Sequence, residues 1–229
     1  MENAASVFFR VRRWAAWAPG TPSIDVQTPT LLRRRVSALG QEALRAVWSL
    51  ADSAQSRIIV SSRHGEFRRT LSILEDLADR TEVSPADFTL SVHHALAGLL
   101  SIAHGNRQGH TAVAAGSESF CFGLMEAVAC LADAPDTPVV LLHYDEPLPS
   151  PFSDFDEPAP AAEVLALVLA ADGPGVPLSL AFVPALTKAE RSVSPAAAFL
   201  RFLETPAQTE LVSSGDRLEW HWRRHATAD

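Results

Sequence analysis

Residues 84–127, SPADFTLSVHHALAGLLSIAHGNRQGHTAVAAGSESFCFGLMEA, constrain the fold more than any other stretch of the chain. They read as an apolar helix over 87–103, a tight turn over 104–110, a strand of small residues over 111–115, a sharp elbow, and a second apolar helix over 119–131. A short buried strand that feeds straight into a helix belongs in a layered α/β sheet. Such an elbow aims its side chain at solvent or a tunnel and brings backbone donors of the helix start close to it. The residue at that position is Ser117.

The flanking sequence continues the alternation. Strands are expected over 7–17, where Phe9 and Val11 alternate with Arg10 and Arg12, and over 57–62 (RIIVSS). Helices are expected over 30–54 and 66–79 from apolar residues at helical spacing. The run PVVLLHY over 138–144 is apolar throughout, as in a strand with both faces covered. Pro147, Pro149, Pro151 and Pro158 mark a long loop. Strands over 164–170 and 178–184 follow, expected as an antiparallel hairpin across Gly173-Pro174-Gly175. A helix over 194–204 with Pro195 in its first turn and a last strand over 217–224 complete the reading. With 229 residues, 47% of them hydrophobic, the chain is expected to form one domain, an elbow-bearing core over 1–150 and a loop, hairpin, helix and strand over 151–229.

Charge and composition exclude several function classes. A net charge of −8 argues against nucleic-acid binding, which needs clustered cations. The runs Arg33–Arg35 and Arg223-Arg224 are too short to reverse that and read as solvated faces. No uninterrupted apolar stretch is long enough for a membrane span, and the N-terminus lacks the pattern of a signal peptide, so a cytoplasmic protein is expected. Cys121 and Cys130 fall more than two helical turns apart, beyond disulfide reach, and read as small buried hydrophobes. No metal-ligand spacing, phosphate loop or dinucleotide fingerprint occurs, so neither metal nor cofactor is expected. His221 and His225 on an alternating strand point the same way about 13 Å apart, and are expected at the surface.

The strings His94-Ala95-Leu96-Ala97-Gly98, Gly105-Asn106-Arg107-Gln108-Gly109 and Thr111-Ala112-Val113-Ala114-Ala115-Gly116-Ser117 stand in the order and spacing of three motifs of type II beta-ketoacyl synthases. Leu31-Leu32-Arg33-Arg34-Arg35-Val36-Ser37 resembles the Arg-Arg-Met-Ser helix near the start of those enzymes. Residues 155–172 resemble a later Gly-Glu-Gly-Ala-Gly strand, with Pro160, Ala161 and Glu163 in place of glycines. The chain thus resembles, over about residues 5–185, a short ketosynthase-like family that spans the N-terminal half of a beta-ketoacyl synthase and includes chain-length factors of aryl polyene and xanthomonadin-type pathways. The resemblance implies a thiolase-like layered α/β fold, essentially the N-terminal half of a ketosynthase with extra C-terminal strands.

Two departures bear on activity. Family members carry cysteine at the elbow, where a thiol near pKa 8.5 supplies some thiolate at neutrality and an alcohol supplies essentially none. They also place two catalytic histidines in glycine-containing loops of a second half, and His221 and His225 lie in a Trp-rich strand without such glycines. The resemblance therefore implies a non-catalytic subunit that pairs with a full-length ketosynthase, meets an acyl carrier protein through that complex, and shapes its partner's tunnel. Phe88, Leu90, Leu99, Leu100, Phe120, Phe122 and Met125 are the apolar candidates for tunnel or interface, each also readable as ordinary core. The alternative is an acyltransferase or thioesterase with Ser117 as nucleophile and His94 as base, His93, His110 and Glu118 being the other groups near the elbow. The hydrolase Gly-x-Ser-x-Gly pattern is absent. A third reading, a binding module for a carrier protein or coenzyme A, rests on the cations at Arg33–Arg35 and Arg68-Arg69.

Overall fold

The first described strand lies inside the sheet, between two strands encoded far downstream. In the computed structural model, which describes residues 6–50, 54–156, 162–186 and 193–226, β1 (Val7–Trp17) buries Phe9 and Val11 and turns Phe8 and Arg10 the other way. In chain order there follow α1 (Thr30–Arg33), α2 (Ala38–Ser49), β2 (Arg57–Ser61), α3 (Phe67–Ala78), α4 (Pro85–Ser91), α5 (Ala95–His104), β3 (His110–Val113) and α6 (Ser119–Asp133). Then come β4 (Val139–Asp145), a 3₁₀ turn (Phe152–Phe155), β5 (Glu163–Ala170), β6 (Val176–Pro184), α7 (Pro195–Glu204), β7 (Glu210–Ser214) and β8 (Leu218–Arg224). All eight strands form one sheet in the order β3-β2-β4-β5-β1-β6-β8-β7. β2 pairs in parallel with β3 and β4, and every other pair is antiparallel.

Period-two alternation feeds two cores from the same strands. Val140 and Leu142 of β4 pack with Leu44 and Val47 of α2 and Leu96 and Leu100 of α5. Val139 and Leu141 pack on the opposite face with Phe120 and Leu124 of α6 and Phe199 and Phe202 of α7. β4 is buried along nearly its whole length, as its unbroken apolar run requires. Cys121 and Cys130 are both buried in the α6 layer and form no disulfide.

Four expectations need correction. The helix over 30–54 is broken: Ser37 adopts an extended conformation, accepts the Gly40 amide at 3.0 Å and starts α2 afresh, while the end of the expected helix lies partly outside the described residues. The helix over 87–103 is two, because Val92 is extended; Ser84 caps α4 by accepting the Asp87 amide, with Pro85 in the first turn. A strand at Glu210–Ser214 was not foreseen, and it forms a hairpin with β8.

The fourth correction concerns topology. β5 and β6 do not pair with each other; β1 lies between them and is antiparallel to both. The segment joining them passes over β1 at the bulge between Val11 and Arg13. Gly175 makes the passage possible: its φ is +133°, and a Cβ there would stand 2.6 Å from the Val11 carbonyl oxygen. Gly175→Ala is expected to lower stability by about 2 kcal/mol or more through combined backbone strain and contact, read as a shift in the urea midpoint.

Candidate functional site

The elbow is built by a few local bonds. β3 ends at Val113, and Gly116 takes the left-handed φ of +59° that reverses the chain. The Ser119 hydroxyl accepts the Ala115 amide at 2.9 Å and donates to the Gly116 carbonyl at 2.6 Å, closing the turn. α6 then starts at once, with Glu118 at its N-cap position. The strand-elbow-helix expected over 111–131 is therefore present, and Ser117 sits at its tip, half-buried.

The C-terminal hairpin closes over that tip. Glu118 is 3% exposed, and its carboxylate accepts the Asp216 and Arg217 amides at 3.0 and 3.2 Å and the Trp220 indole N–H at 2.9 Å. Gly215 has to be glycine, because a Cβ would stand 1.9 Å from the Glu118 Oε1. The turn so fixed brings Asp216 to the elbow, and the Ser117 hydroxyl donates to its Oδ2 at 3.1 Å. A carboxylate is far too weak a base to take a proton from an alcohol, and its charge disfavours an anion at the same oxygen. His94, the alternative base, is exposed and packs its ring on that of His110, centroids 5.5 Å apart. The ring of His93 covers Gly65. The structure thus groups Ser117, Glu118 and Asp216, and the last of these was not visible in sequence.

Comparison with known proteins decides the family. The sequence matches the family model described as beta-ketoacyl synthase, N-terminal domain, over residues 11–223. This chain belongs to the beta-ketoacyl synthase family. Its fold is similar to a chain of the complex between the ketosynthase ApeO and its chain length factor ApeC from Xenorhabdus doucetiae, with 27% identity and a TM-score of 0.82, covering 95% of this chain and 100% of that one. The ishigamide ketosynthase/chain length factor shares the fold at 12% identity and a TM-score of 0.62, over 78% of this chain and 68% of that chain. So does the AntDE:AntF complex of a type II carrier protein with its ketosynthase bound to a hexaketide, at 16% identity and a TM-score of 0.55, over 72% and 64%. No curated protein matches the sequence.

Within this ketosynthase-family fold the apolar candidates divide. Leu99, Leu100 and Phe120 are buried core, and Leu90, Phe122 and Met125 are half-buried against the two clusters. Phe88 is the exception, 64% exposed on α4. His221 is half-buried with its Nε2 2.8 Å from Glu219 Oε1, and His225 shares a hydrogen bond with Ser179 at 2.8 Å, so neither stands free at the surface as expected. Arg68 and Arg69 meet Glu146 and Asp87, at 3.1 and 2.8 Å. Among the described residues no group of three or more ligating side chains could hold a metal, and no helix is long and apolar enough to cross a membrane. One imidazole without a role in the sequence expectations, His143, is buried in β4 beside Ser61, Asp145 and Glu163. Its only local signal was a polar letter in PVVLLHY.

Proposed function

We propose that this chain is a non-catalytic subunit of chain-length-factor type, which pairs with an active ketosynthase and shapes its acyl tunnel in carrier-protein-dependent polyketide synthesis of the aryl polyene or xanthomonadin kind, in the cytoplasm. The observation that carries the reading is the elbow: the scaffold that presents a nucleophile is kept, while the side chain on it is an alcohol tied to a carboxylate of its own chain. The similar chain in the ketosynthase and chain length factor complex is covered from end to end, so it is no longer than this one.

The partner would meet the β3 side of the sheet. β3 is the last strand on that edge, only four residues long, and no described strand pairs with its outer side. α3 and α4, which pack on each other, bury no residue fully, and Leu74, Leu77, Phe88 and Val92 are exposed there and just beyond α4. Covering such residues is the task of an obligate interface, on the order of 2,000 Å².

Co-expression with the full-length ketosynthase of the same pathway is expected to yield an equimolar complex by native mass spectrometry, weakened about tenfold or more by Phe88→Asp. A stable monomer that never binds a ketosynthase would overturn the reading. Incubating the isolated chain with an acyl thioester is expected to leave its mass unchanged. A gain in mass abolished by Ser117→Ala would instead mark an acyltransferase or thioesterase.

A further inference from the structure

β5 delivers Glu163 into the interior, between the His143 ring of β4 and the head of α7. The ring is 3% exposed, and its Nε2 lies 3.6 Å from Glu163 Oε1 and 3.6 Å from Asp145 Oδ2. Its Nδ1 shares a hydrogen bond with the Ser61 hydroxyl of β2 at 3.0 Å, and the Phe120 ring of α6 stands edge-on to it. Asp145 is held in turn by the Ser62 hydroxyl and the Arg63 amide, at 3.0 and 2.7 Å. On the other side, Glu163 Oε2 accepts from the Ser194 hydroxyl at 2.6 Å. That hydroxyl also accepts the Ala197 amide at 3.0 Å, which is the N-cap bond of α7. An unbroken set of contacts therefore leads from an imidazole to the first turn of a helix.

Each element around the ring contributes a group: Asp145 from β4, Glu163 from β5, Ser61 from β2 and Ser62 just after it, Ser194 from the N-cap of α7 and Phe120 from α6. The charged ones are both anions. The two carboxylate side chains are only 22% and 16% exposed, and a cation between them offsets their repulsion; the ring is the group that can supply it. Burial works against charging the ring, but the Glu163 bond and the charges of Asp145 and Glu163 outweigh it, so His143 holds its proton above the ordinary histidine range. Glu163 is likewise pushed up by burial, yet its bonds to His143 and Ser194 bring it below the ordinary carboxylate range. Burial, with a smaller push from the charge of Glu163, raises Asp145 against the pull of His143, the Arg63 amide and the Ser62 hydroxyl.

We propose that His143, Glu163 and Ser194 form a proton-operated latch on the C-terminal segment. With the ring protonated, Glu163 stays fixed and orients the hydroxyl that caps α7. When the ring loses its proton, two partly buried anions face each other without a cation, and the first turn of α7 lifts from the sheet. β2, β4 and β5 are held by ladders on both sides, so that turn is the wall that gives way. Because the ring binds its proton more tightly folded than unfolded, the latch is complete below the ordinary histidine value of 6.5 and fails as pH rises through the higher folded value. The Glu163 contribution has the opposite sense, present above 4.5 and lost as pH falls through its lowered value.

Hydrogen exchange of the Ala197 and Ala198 amides in the purified chain tests this. From about pH 6 to pH 9, protection corrected for intrinsic rates is expected to fall by up to about tenfold per unit from the ordinary histidine value of 6.5 upward and to level off above the raised folded value, while amides of α2 keep theirs. His143→Gln abolishes that fall, and Glu163→Gln moves it to lower pH. Flat protection in the wild type, or the same fall in His143→Gln, overturns the latch. Should His143→Gln not fold, the ¹⁵N shifts of the wild-type ring decide, since a ring that titrates at or below 6.5 overturns it equally.

Discussion

Glu118→Ala lowers the unfolding free energy by about 3 kcal/mol, because it strips three donors of their acceptor and one of them, the Trp220 indole N–H, is sealed in the core. Urea denaturation measures the loss, and a change of less than about 1 kcal/mol would mean that the hairpin does not depend on this carboxylate. Gly215→Ala in the wild-type background drives a methyl group into the same carboxylate. In the Glu118→Ala background that clash is gone, so the two substitutions together cost less than the sum of each alone. Such a coupling would measure how much of the need for glycine at 215 comes from the Glu118 carboxylate, the remainder coming from the Leu218 carbonyl oxygen, 2.7 Å from where a Cβ would stand.

Ser117→Cys does not turn the chain into an acyl acceptor. The new thiol takes the place of a hydroxyl that donates to Asp216, and a carboxylate about 3–4 Å away raises its pKa by roughly half to one unit. Thiolate content at neutral pH then falls about three- to tenfold below that of an unperturbed cysteine. Iodoacetamide labelling rates over a pH series report this directly, and Asp216→Asn in the same background restores the rate. Labelling by Ser117→Cys alone as fast as a free thiol would show that the hairpin leaves the elbow chemically open, and would weaken the case for a silenced site.

The elbow, the two-faced β4 and most of the remaining elements were legible because each is written in a continuous stretch. Small residues followed by an apolar helix specify 111–131, and PVVLLHY specifies a strand covered on both sides. Breaks in the long helices also had local signatures, Ser37 ahead of an apolar run and Ser84-Pro85 ahead of Asp87, which helical periodicity masked. What could not be read was partner choice between distant segments. Periodicity states that the strands over 164–170 and 178–184 exist, but not that β1 divides them. Nor does it disclose that the glutamate beside the elbow serine waits for a turn some hundred residues later, or that His143 faces two carboxylates. Those contacts appear only once the sheet order is fixed, and with them the group that Ser117 faces.

The placement of β1 sets a timetable for biosynthesis. This strand leaves the ribosome before the other seven described strands, yet its neighbours on either side are encoded far downstream; Arg12 reaches the Asp172 carbonyl 160 residues later. At translation speeds that is a wait of roughly 10–30 s, during which Phe8, Phe9, Val11 and the two tryptophans of the strand have no ladder to join. Pairing at so great a separation is slow for the refolding chain as well. The nascent β1 segment is therefore a natural client for a holding chaperone until the Gly175 crossover has emerged.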